Sequence, residues 1–490
     1  MFLRIARRIL TPLQRLFREI RRGPSDTHEA PFLSPEWDWT PVKPWPRFQD
    51  IALPSGDRLE VFLFLQIYYR GGVWEATKDL VHQLVEVNRE RGCLHLTLGL
   101  HPDQVDVKSL ESLGEDLRIT RMRFTAINRD SIGTMLGGTP RRLMSSADPG
   151  FCFFSGGAEE GIRADAWFGL LDRFPLPLLP LRPYGVLIYD MLQRHLPEIF
   201  GPPGCDFFRW CKGGMIPTAK RARFVAVTTP QTQRDVMEEY GLPKQRVRLL
   251  PLGSDPDRRF AAVHPEPIAV PREPYILKVA NAAHHKGAGV LLQAYAKLKQ
   301  FGHQDLPPIV CCGSETHRLS SAFRGEIDHP NGPRIRALVP ALGLKEGIDV
   351  VFLGFVTESQ LKYLYEHSSV VVNAGKWDNG SYSLIEAAYF GKPVISSLYP
   401  AAEFICQRFG VQAKFFPIDD SDALAELLRQ PLAQEAKSIS REEIADIRRR
   451  LADPELRTRR YAERLYDCLV ELAQEGRRLR VVHAAKTKLA

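Results

Sequence analysis

The sequence lacks the patterns that would indicate a metal centre, a redox-active disulfide or a membrane-spanning helix. Its eight cysteines are scattered and form no Cys-x-x-Cys pair, so we expect neither structural zinc nor disulfide bonds. No apolar run approaches the roughly 18 residues that a helix needs to cross a bilayer. We therefore expect a soluble protein in the reducing environment of the cytoplasm, with no metal ion and no other cofactor.

Positive charge is also scarce outside the two ends of the chain. The 490 residues carry a net charge of +8. Residues 1–22 hold seven Arg and one Glu (+6), and residues 477–490 hold five basic residues and no acid (+5), which leaves −3 for the body. A nucleic-acid-binding protein needs a basic patch on its folded surface, so we expect no nucleic-acid partner.

The first 58 residues divide into a basic segment and an arm. In residues 1–22 hydrophobic side chains recur at intervals of three and four with arginines between them, which predicts a basic amphipathic helix. Such a helix binds the anionic inner face of a plasma membrane; a frayed tail and a helix packed on the body of the protein are the alternatives. Residues 23–58 are rich in Pro and Trp and predict an irregular arm.

The next part of the chain opens with a strand, a glycine turn and a helix. The run LEVFLFLQIYY (59–69) is almost entirely apolar, as is typical of a strand buried on both faces of a parallel sheet. Gly71-Gly72 predicts a tight turn, and residues 76–87 predict a helix. We assign residues 59–257 to a first Rossmann-like domain. Its later predicted strands are 94–99, 186–189, 224–228 and 247–251, whereas 101–180 predicts only loops and short elements.

A linker rich in Pro and charge (254–274) leads to a second block, residues 273–430, in which strands and helices alternate. The alternation predicts a second parallel sheet with helices on both faces, followed by a helical segment (440–476) and a basic tail (477–490). Ligands bind at the carboxyl ends of such strands, so two facing domains would hold a ligand between them. The predicted strands are 275–280, 308–312, 349–353, 369–373, 393–396 and 413–416, and the predicted helices are 287–300, 357–367, 383–390 and 419–430.

The strongest candidate for a ligand site is WDNGSYSLIEAAYFGKPVIS, residues 377–396. It follows an apolar strand and leads into a helix, whose free N–H groups and partial positive charge suit a diphosphate. Asp378 and Glu386 lie on either side of the turn, so both are expected to reach one pocket. The alternative is purely structural: Ser383 and Glu386 form a capping box, and Asp378 hydrogen-bonds the turn that it opens.

A second candidate is YILKVANAAHHKG, residues 275–287. A buried strand ends at Asn281, and a short loop carries His284, His285 and Lys286 into the next helix. A lysine just before a helix complements a phosphate without a metal; the alternative is a solvated basic loop. The two adjacent histidines have no third ligand at a recognisable zinc spacing.

These two segments, together with VVFLGFVTESQLKYLYEHSSVVVNA (350–374) and GKPVISS (391–397), resemble glycosyltransferase family 4. The similarity is densest over 275–430, and segments 183–200 and 223–255 resemble the acceptor side more loosely. The resemblance implies an α/β fold of the GT-B type: two facing Rossmann-like doubly wound domains, a cleft between them and a long C-terminal helical segment. It also implies retaining, metal-independent transfer of a hexose, of mannose or glucose type, from a nucleotide-diphosphate sugar. The implied acceptor is a polysaccharide, a lipopolysaccharide or a lipid-linked glycan.

The resemblance further implies a role for individual residues. Lys286 binds the donor diphosphate, and Asp378 contacts the donor sugar near the reacting carbon, so these two are the expected catalytic residues. Glu386 accepts hydrogen bonds from the ribose hydroxyls. The other expected substrate-binding residues are Gly71, Gly72, Asn281, Gly380, Ser381, Tyr382 and Ser383.

Two other functions are set against this expectation. Asn281 stands where many family members have arginine, Asp378 where glutamate is usual, and Tyr189 where many have histidine, so we assign Tyr189 no catalytic role. These departures favour, as the alternative, a sugar-nucleotide-binding protein that has lost catalysis. A nicotinamide-dependent oxidoreductase is disfavoured, because no G-x-G-x-x-G turn follows the first strand of either block.

Overall fold

The computed structural model describes most of the chain beyond residue 55. All described residues lie in one compact unit, residues 38–490. The predicted helix 1–22 and the arm up to residue 55 lie outside the described residues, and so do Gly71, Gly380 and Ser381. The described ranges are 56–68, 72–128, 131–132, 150–200, 211–303, 305–325, 330–379, 382–433 and 440–488.

The strands of the described part form two parallel sheets and a small antiparallel ribbon. Their bounds are β1 Leu59–Leu65, β2 Leu94–Leu100, β3 Arg118–Arg121, β4 Arg123–Ile127, β5 Phe151–Ser155, β6 Ala166–Gly169, β7 Tyr184–Ile188, β8 Phe224–Val227, β9 Val247–Leu249, β10 Tyr275–Val279, β11 Ile309–Cys312, β12 Val350–Gly354, β13 Ser368–Asn373, β14 Val394–Ser397 and β15 Ala413–Phe416. Each parallel pair is joined by a crossover, which is the pattern of doubly wound α/β domains.

The helices of the described part cover these sheets. Their bounds are α1 Gly72–Arg91, α2 Lys108–Glu111, α3 Ala158–Arg163, α4 Leu192–His195, α5 Pro197–Phe200, α6 Ile216–Arg221, α7 Pro230–Tyr240, α8 Pro256–Phe260, α9 Ala288–Gln300, α10 Gly332–Ala341, α11 Glu358–His367, α12 Tyr382–Tyr389, α13 Pro400–Phe409, α14 Ser421–Ala433, α15 Arg441–Leu451 and α16 Thr458–Lys488. Within the described ranges, none of them has both the length and the apolar composition that crossing a membrane would require.

The first sheet has the strand order β3-β2-β1-β6-β7-β8-β9, with every neighbouring pair parallel. Successive side chains of a strand point to opposite faces, and in β1 both Phe62 and Leu63 are fully buried. The sheet is therefore covered on both faces at this strand, which is why its sequence is continuously apolar instead of alternating.

Four short strands, β3 to β6, lie in the segment 101–180, for which the sequence predicts only loops and short elements. Strand β6 occupies a place beside β1, with Val61 opposite Ala166. Strands β4 and β5 form the antiparallel ribbon, in which Phe124 faces Phe154. No predicted helix flanks these short strands, so nothing in the sequence marks where they begin and end. These strands are defined by their pairing partners instead.

The second sheet has the order β12-β11-β10-β13-β14-β15 and is parallel throughout its described pairs. Each of its six strands agrees with the predicted one to within one residue at either end. After β10 the chain adds β11 and β12 on one side and then returns to add β13 on the other. The topological switch point therefore lies at the carboxyl ends of β10 and β13, where doubly wound sheets bind their ligands.

The last helix returns to the first domain. Tyr461, Leu465 and Leu469 of α16 are buried in the same hydrophobic cluster as β1 and α1. A Cβ atom at Gly476 would lie 1.9 Å from the carbonyl oxygen of Asp165, so only glycine allows the helix to approach this closely. Helix α16 continues to Lys488. Residues 477–488, predicted as a tail beyond a helical segment of 440–476, are therefore part of the helix.

Candidate active site

The carboxyl end of β10 carries the first candidate segment. A short loop and a 3-10 turn, His284–Lys286, connect the strand to α9. Asn281 is exposed, and its side-chain oxygen accepts a hydrogen bond from the backbone N–H of Ala283 at 3.1 Å. Gly287 has a φ of +71°, and a Cβ atom there would lie 1.6 Å from the carbonyl oxygen of Ala374. Glycine is therefore required where this loop meets the end of the neighbouring strand.

The second candidate segment follows β13 and contacts the first. The backbone N–H of Lys376 donates to the carbonyl oxygen of His285 at 2.7 Å. The side-chain Nζ of Lys286 donates to Oδ2 of Asp378 at 2.5 Å. The other carboxylate oxygen of Asp378 accepts from the backbone N–H of Asn379 at 2.8 Å. The structure thus joins the two expected catalytic residues in one ion pair, although 92 positions separate them in the sequence.

Burial and the ion pair together set the charges of this site. Burial works to raise the pKa of Asp378, but the ammonium of Lys286 outweighs it, and the pKa of Asp378 is lowered. Burial and, to a smaller extent, the adjacent Lys286 lower the pKa of His285 to about 4, so His285 is neutral at neutral pH. Among the described residues, no group of three or more His, Cys, Asp or Glu side chains is placed to hold a metal ion.

Glu386 is buried near the middle of α12 and has two side-chain partners. Its Oε1 receives the guanidinium of Arg259 from α8. Its Oε2 accepts the hydroxyl of Tyr365, from α11, at 2.7 Å. The capping box predicted for Ser383 and Glu386 is wrong, because Ser383 is the second residue of α12 and both oxygens of Glu386 contact other partners.

The remaining expected binding residues are placed as follows. Tyr382 and Ser383 form the first turn of α12, directly after Asn379 and the two undescribed residues. Gly72 is the first residue of α1, the helix that follows β1 in the first domain. Each of the three therefore lies at a strand-to-helix junction, where backbone N–H groups are free to bind a ligand.

Residues of the first domain contact both neighbours of Asp378. The side-chain amide of Asn379 donates to Oγ1 of Thr228 at 2.5 Å. The imidazole of His195 stacks on the indole of Trp377, with ring centroids 3.8 Å apart and planes 14° from parallel. The same imidazole lies 2.6 Å from the carboxylate of Asp235 in α7. The two domains therefore meet at the segment that carries Asp378.

The sequence-based prediction did not include four residues of this site: Thr228, His195, Arg259 and Tyr365. His195 lies within 183–200, a segment that resembles the family, but nothing in its spacing singles it out. Arg259 and Tyr365 lie on separate helices, 127 and 21 positions from Glu386. No local pattern connects such positions, so no sequence signal could have found these contacts.

Two facing doubly wound domains with a polar site at the switch point are the architecture of the GT-B fold. A solved structure of Anabaena Alr3699/HepE in complex with UDP and glucose superposes with a TM-score of 0.56 at 14% identity, over 85% of this chain and all of that one. WaaG, a glycosyltransferase involved in lipopolysaccharide biosynthesis, superposes with a TM-score of 0.52 at 16% identity, over 84% of this chain and 99% of that one. The predicted fold class is confirmed.

The sequence comparisons match one part of the chain. Residues 262–450 match the family of glycosyl transferases group 1. The mannosylfructose-phosphate synthase of Agrobacterium fabrum (strain C58) is 22% identical over 217 residues, which is 43% of this chain. That alignment spans 45% of the relative's own length.

Proposed function

We propose that this protein is a retaining, metal-independent hexosyltransferase of glycosyltransferase family 4. It transfers a mannose- or glucose-type sugar from a nucleotide-diphosphate donor to a polysaccharide, a lipopolysaccharide or a lipid-linked glycan. The observation that carries the proposal is the 2.5 Å ion pair between Lys286 and Asp378. It sets a cation suited to a diphosphate beside a carboxylate suited to a sugar, at the strand ends where such sheets bind ligands.

The charges that develop during transfer explain why this pair is useful. Breaking the bond between the anomeric carbon and the diphosphate leaves positive charge on the sugar ring and negative charge on the phosphate. Lys286 and the N-terminus of α12 stabilise the negative charge, and Asp378 orients the sugar and stabilises the positive one. Preorganised groups of this kind usually make the largest contribution to catalysis.

Retention of configuration requires attack from the face that the donor phosphate leaves. The acceptor hydroxyl oxygen forms its bond to the anomeric carbon on that face, while the bond from the carbon to the diphosphate oxygen breaks. The departing phosphate takes the hydroxyl proton, so no side chain of the protein needs to act as the base. The neutral imidazole of His285 is compatible with this route, since it adds no second positive charge beside Lys286.

The nucleotide is proposed to bind along α12 and the loops beside it. A carboxylate oxygen has two acceptor positions, so Glu386 can accept ribose hydroxyls while Arg259 and Tyr365 hold its orientation. The complex of HepE with UDP and glucose supports a nucleotide-sugar donor, because that protein shares the fold. The other proposed substrate-binding residues are Gly71, Gly72, Asn281, Gly380, Ser381, Tyr382 and Ser383.

The acceptor and the location are proposed on less direct grounds. The basic pattern of residues 1–22 favours peripheral contact with an anionic membrane, and WaaG acts in lipopolysaccharide biosynthesis. We therefore propose a cytoplasmic enzyme that reaches its glycan or glycolipid acceptor at the inner face of the plasma membrane.

The substitution Lys286→Ala tests the proposed site. With the ammonium gone, sugar transfer is expected to fall by about 100-fold or more, the usual effect of removing one preorganised charge-stabilising group. Sugar transfer from UDP-, GDP- and ADP-hexoses to a glycolipid extract is the measurement. Lys299→Ala is the matched control: Lys299 also forms an ion pair, with Asp349 at 2.7 Å, but it lies at the other end of α9, about 20 Å along the helix.

Full activity in Lys286→Ala would disprove the site. The catalytically inactive binding protein is the second candidate, favoured by Asn281, which shapes its own loop and brings no charge to the phosphate. This second candidate predicts a different result from the enzyme: a nucleotide sugar raises the melting temperature of the protein, yet no donor in the panel is hydrolysed or transferred.

A further inference from the structure

Strand β10 contains one charged residue in an otherwise apolar sequence, YILKV. Lys278 is only 3% exposed, although it is the fourth of the five residues. Burial of an ammonium group is costly unless hydrogen bonds replace its water shell. Its Nζ donates to the carbonyl oxygen of Lys286 at 2.6 Å. The side chain therefore extends from inside the sheet to the loop that carries the diphosphate-binding lysine.

The carbonyl that Lys278 holds belongs to the last residue of the 3-10 turn. The backbone N–H of Lys286 already donates to the carbonyl oxygen of Ala283 at 3.0 Å, and that of Gly287 to His284 at 3.1 Å. The hydrogen bond from Lys278 fixes the peptide group between Lys286 and Gly287. Lys278 therefore constrains the backbone at Lys286, from which the diphosphate-binding side chain extends.

Lys278 also adds positive charge beneath the loop. The ammonium interacts electrostatically with both Lys286 and Asp378. Asn281 provides no charge at the position where the resemblance leads one to expect arginine. If a ligand separates Lys286 from Asp378, the ammonium of Lys278 remains near that carboxylate.

We propose that Lys278 is a positioning residue for the donor, which holds the carbonyl of Lys286 and supplies the second positive charge of the diphosphate site. The proposal rests on the proposed function, since it concerns the same site. It assigns Lys278 no part in bond making or breaking.

Because Lys278 can lose its charge, the proposal predicts that diphosphate binding depends on pH. Burial lowers its pKa to about 8, from an ordinary value of 10.5. The groups that face it are Cys311 on β11, His285 and Lys286 on the turn, and Asp378 after β13. Because the ammonium is lost as the pH rises through 8, the affinity for a diphosphate is expected to fall by up to about tenfold between pH 7 and pH 9.

Folding stability is expected to change with pH in the opposite direction to diphosphate affinity. The folded chain releases the Lys278 proton at a lower pH than the unfolded chain, so this group favours folding increasingly as the pH rises from 8 towards 10.5. A purely structural lysine would therefore show greater stability at alkaline pH and no loss of ligand affinity. The two roles are separable by measuring both quantities.

The substitution Lys278→Met keeps the length of the side chain and removes its charge. We expect this variant of the full chain to bind UDP about tenfold more weakly at pH 7. Between pH 7 and pH 9 its affinity for UDP is expected to change by no more than about twofold. Calorimetric titration with UDP is the measurement, since the last phosphate pKa is about 6 and the ligand charge is nearly constant in this range. A melting curve shows that the variant is folded.

Lys392→Met is the matched control. Lys392 is also a lysine with a pKa lowered by burial, and it donates to the carbonyl oxygen of Glu366 at 2.7 Å, but it precedes β14 at the opposite end of the sheet. This variant is expected to bind UDP as the unmodified protein does, with the same decline towards pH 9.

Four outcomes would overturn the proposal. Unchanged UDP binding by Lys278→Met, or a wild-type affinity that is flat between pH 7 and pH 9, refutes the role of Lys278 alone. If the unmodified protein binds none of UDP, GDP and ADP, or if Lys286→Ala binds them normally, the proposed function fails as well. The two failures are therefore distinguishable.

Discussion

At the scale of single residues, the site consists of carboxylates held by side chains from other elements. Asp378 is paired with Lys286, and its pKa is lowered. Glu386 is held by Arg259 and Tyr365. Such partners compensate for the lost hydration of a buried carboxylate, and each partner also restricts its rotation. The site is therefore organised before any substrate binds.

The hydroxyl of Tyr365 is expected to stabilise the buried carboxylate of Glu386. The substitution Tyr365→Phe leaves Oε2 of this buried carboxylate without its donor, which is expected to cost about 1–3 kcal/mol of folding free energy. Urea unfolding is the measurement. Tyr363→Phe is the control on the same helix: its hydroxyl contacts Glu273 at the protein surface, so a change within about 0.5 kcal/mol is expected. Equal losses in the two variants would contradict the importance of the contact.

At the scale of elements, the site depends on two loops that leave neighbouring strands. The loop after β10 ends at Gly287, and the loop after β13 begins at Ala374. They are in contact because Gly287 has no side chain and adopts a positive φ. Helix α9 then begins directly behind the contact. The spacing of Lys286 and Asp378 is therefore a property of strand order and loop packing.

The substitution Gly287→Ala is expected to separate the two loops. Its Cβ atom would overlap a backbone carbonyl that cannot move freely, so the loss of stability is expected to exceed about 3 kcal/mol, with a matching loss of UDP affinity. Gly343→Ala is the matched control, because Gly343 has the same φ of +71° but a Cβ there would meet no described atom within 4 Å. The Gly343→Ala variant measures only the loss of folding free energy caused by a non-glycine residue at this positive φ, about 1 kcal/mol.

Similar losses of stability in Gly287→Ala and Gly343→Ala would show that the carbonyl contact does not constrain the loop. Urea unfolding followed by circular dichroism gives both values, and UDP titration of the folded fraction tests the second consequence.

At the scale of the whole molecule, the C-terminal helix ties the end of the chain to the first domain. The hydroxyl of Tyr466 donates to the side-chain oxygen of Asn88 at 2.9 Å. Arg477 forms an ion pair with the fully buried Asp165 at 3.0 Å. The first domain is therefore built from residues at both ends of the described chain, with the second domain between them in sequence.

This arrangement predicts that a substitution near the C-terminus destabilises the first domain. Leu469 is fully buried in the cluster that contains β1, and Leu469→Ala is expected to cost about 2–5 kcal/mol. Leu479→Ala, on the same helix but 49% exposed, is expected to change stability by no more than about 0.5 kcal/mol. Limited proteolysis should cleave the first domain of Leu469→Ala preferentially; a cleavage pattern identical to that of Leu479→Ala would contradict the prediction.

The second sheet was predictable from the sequence and the first only in part. Strands β10 to β15 stand out because each is a short, mainly apolar run next to a predicted helix. Strands β3 to β6 have no predicted helix beside them, and β6 is recognisable only through its pairing with β1. The predicted basic helix 1–22 lies outside the described residues and stays a prediction.

The alternation of strands and helices is readable from the amino-acid sequence, and so is the position of Lys286 and Asp378 just beyond two strand ends. Local periodicity and turn chemistry suffice for this, since they act over a few residues. The pairing of Glu386 with Arg259 and Tyr365, and the packing of α16 beside β1, depend on the folded arrangement of distant segments. These contacts join residues from 21 to several hundred positions apart, and they form because hydrophobic burial selects one packing for the whole chain.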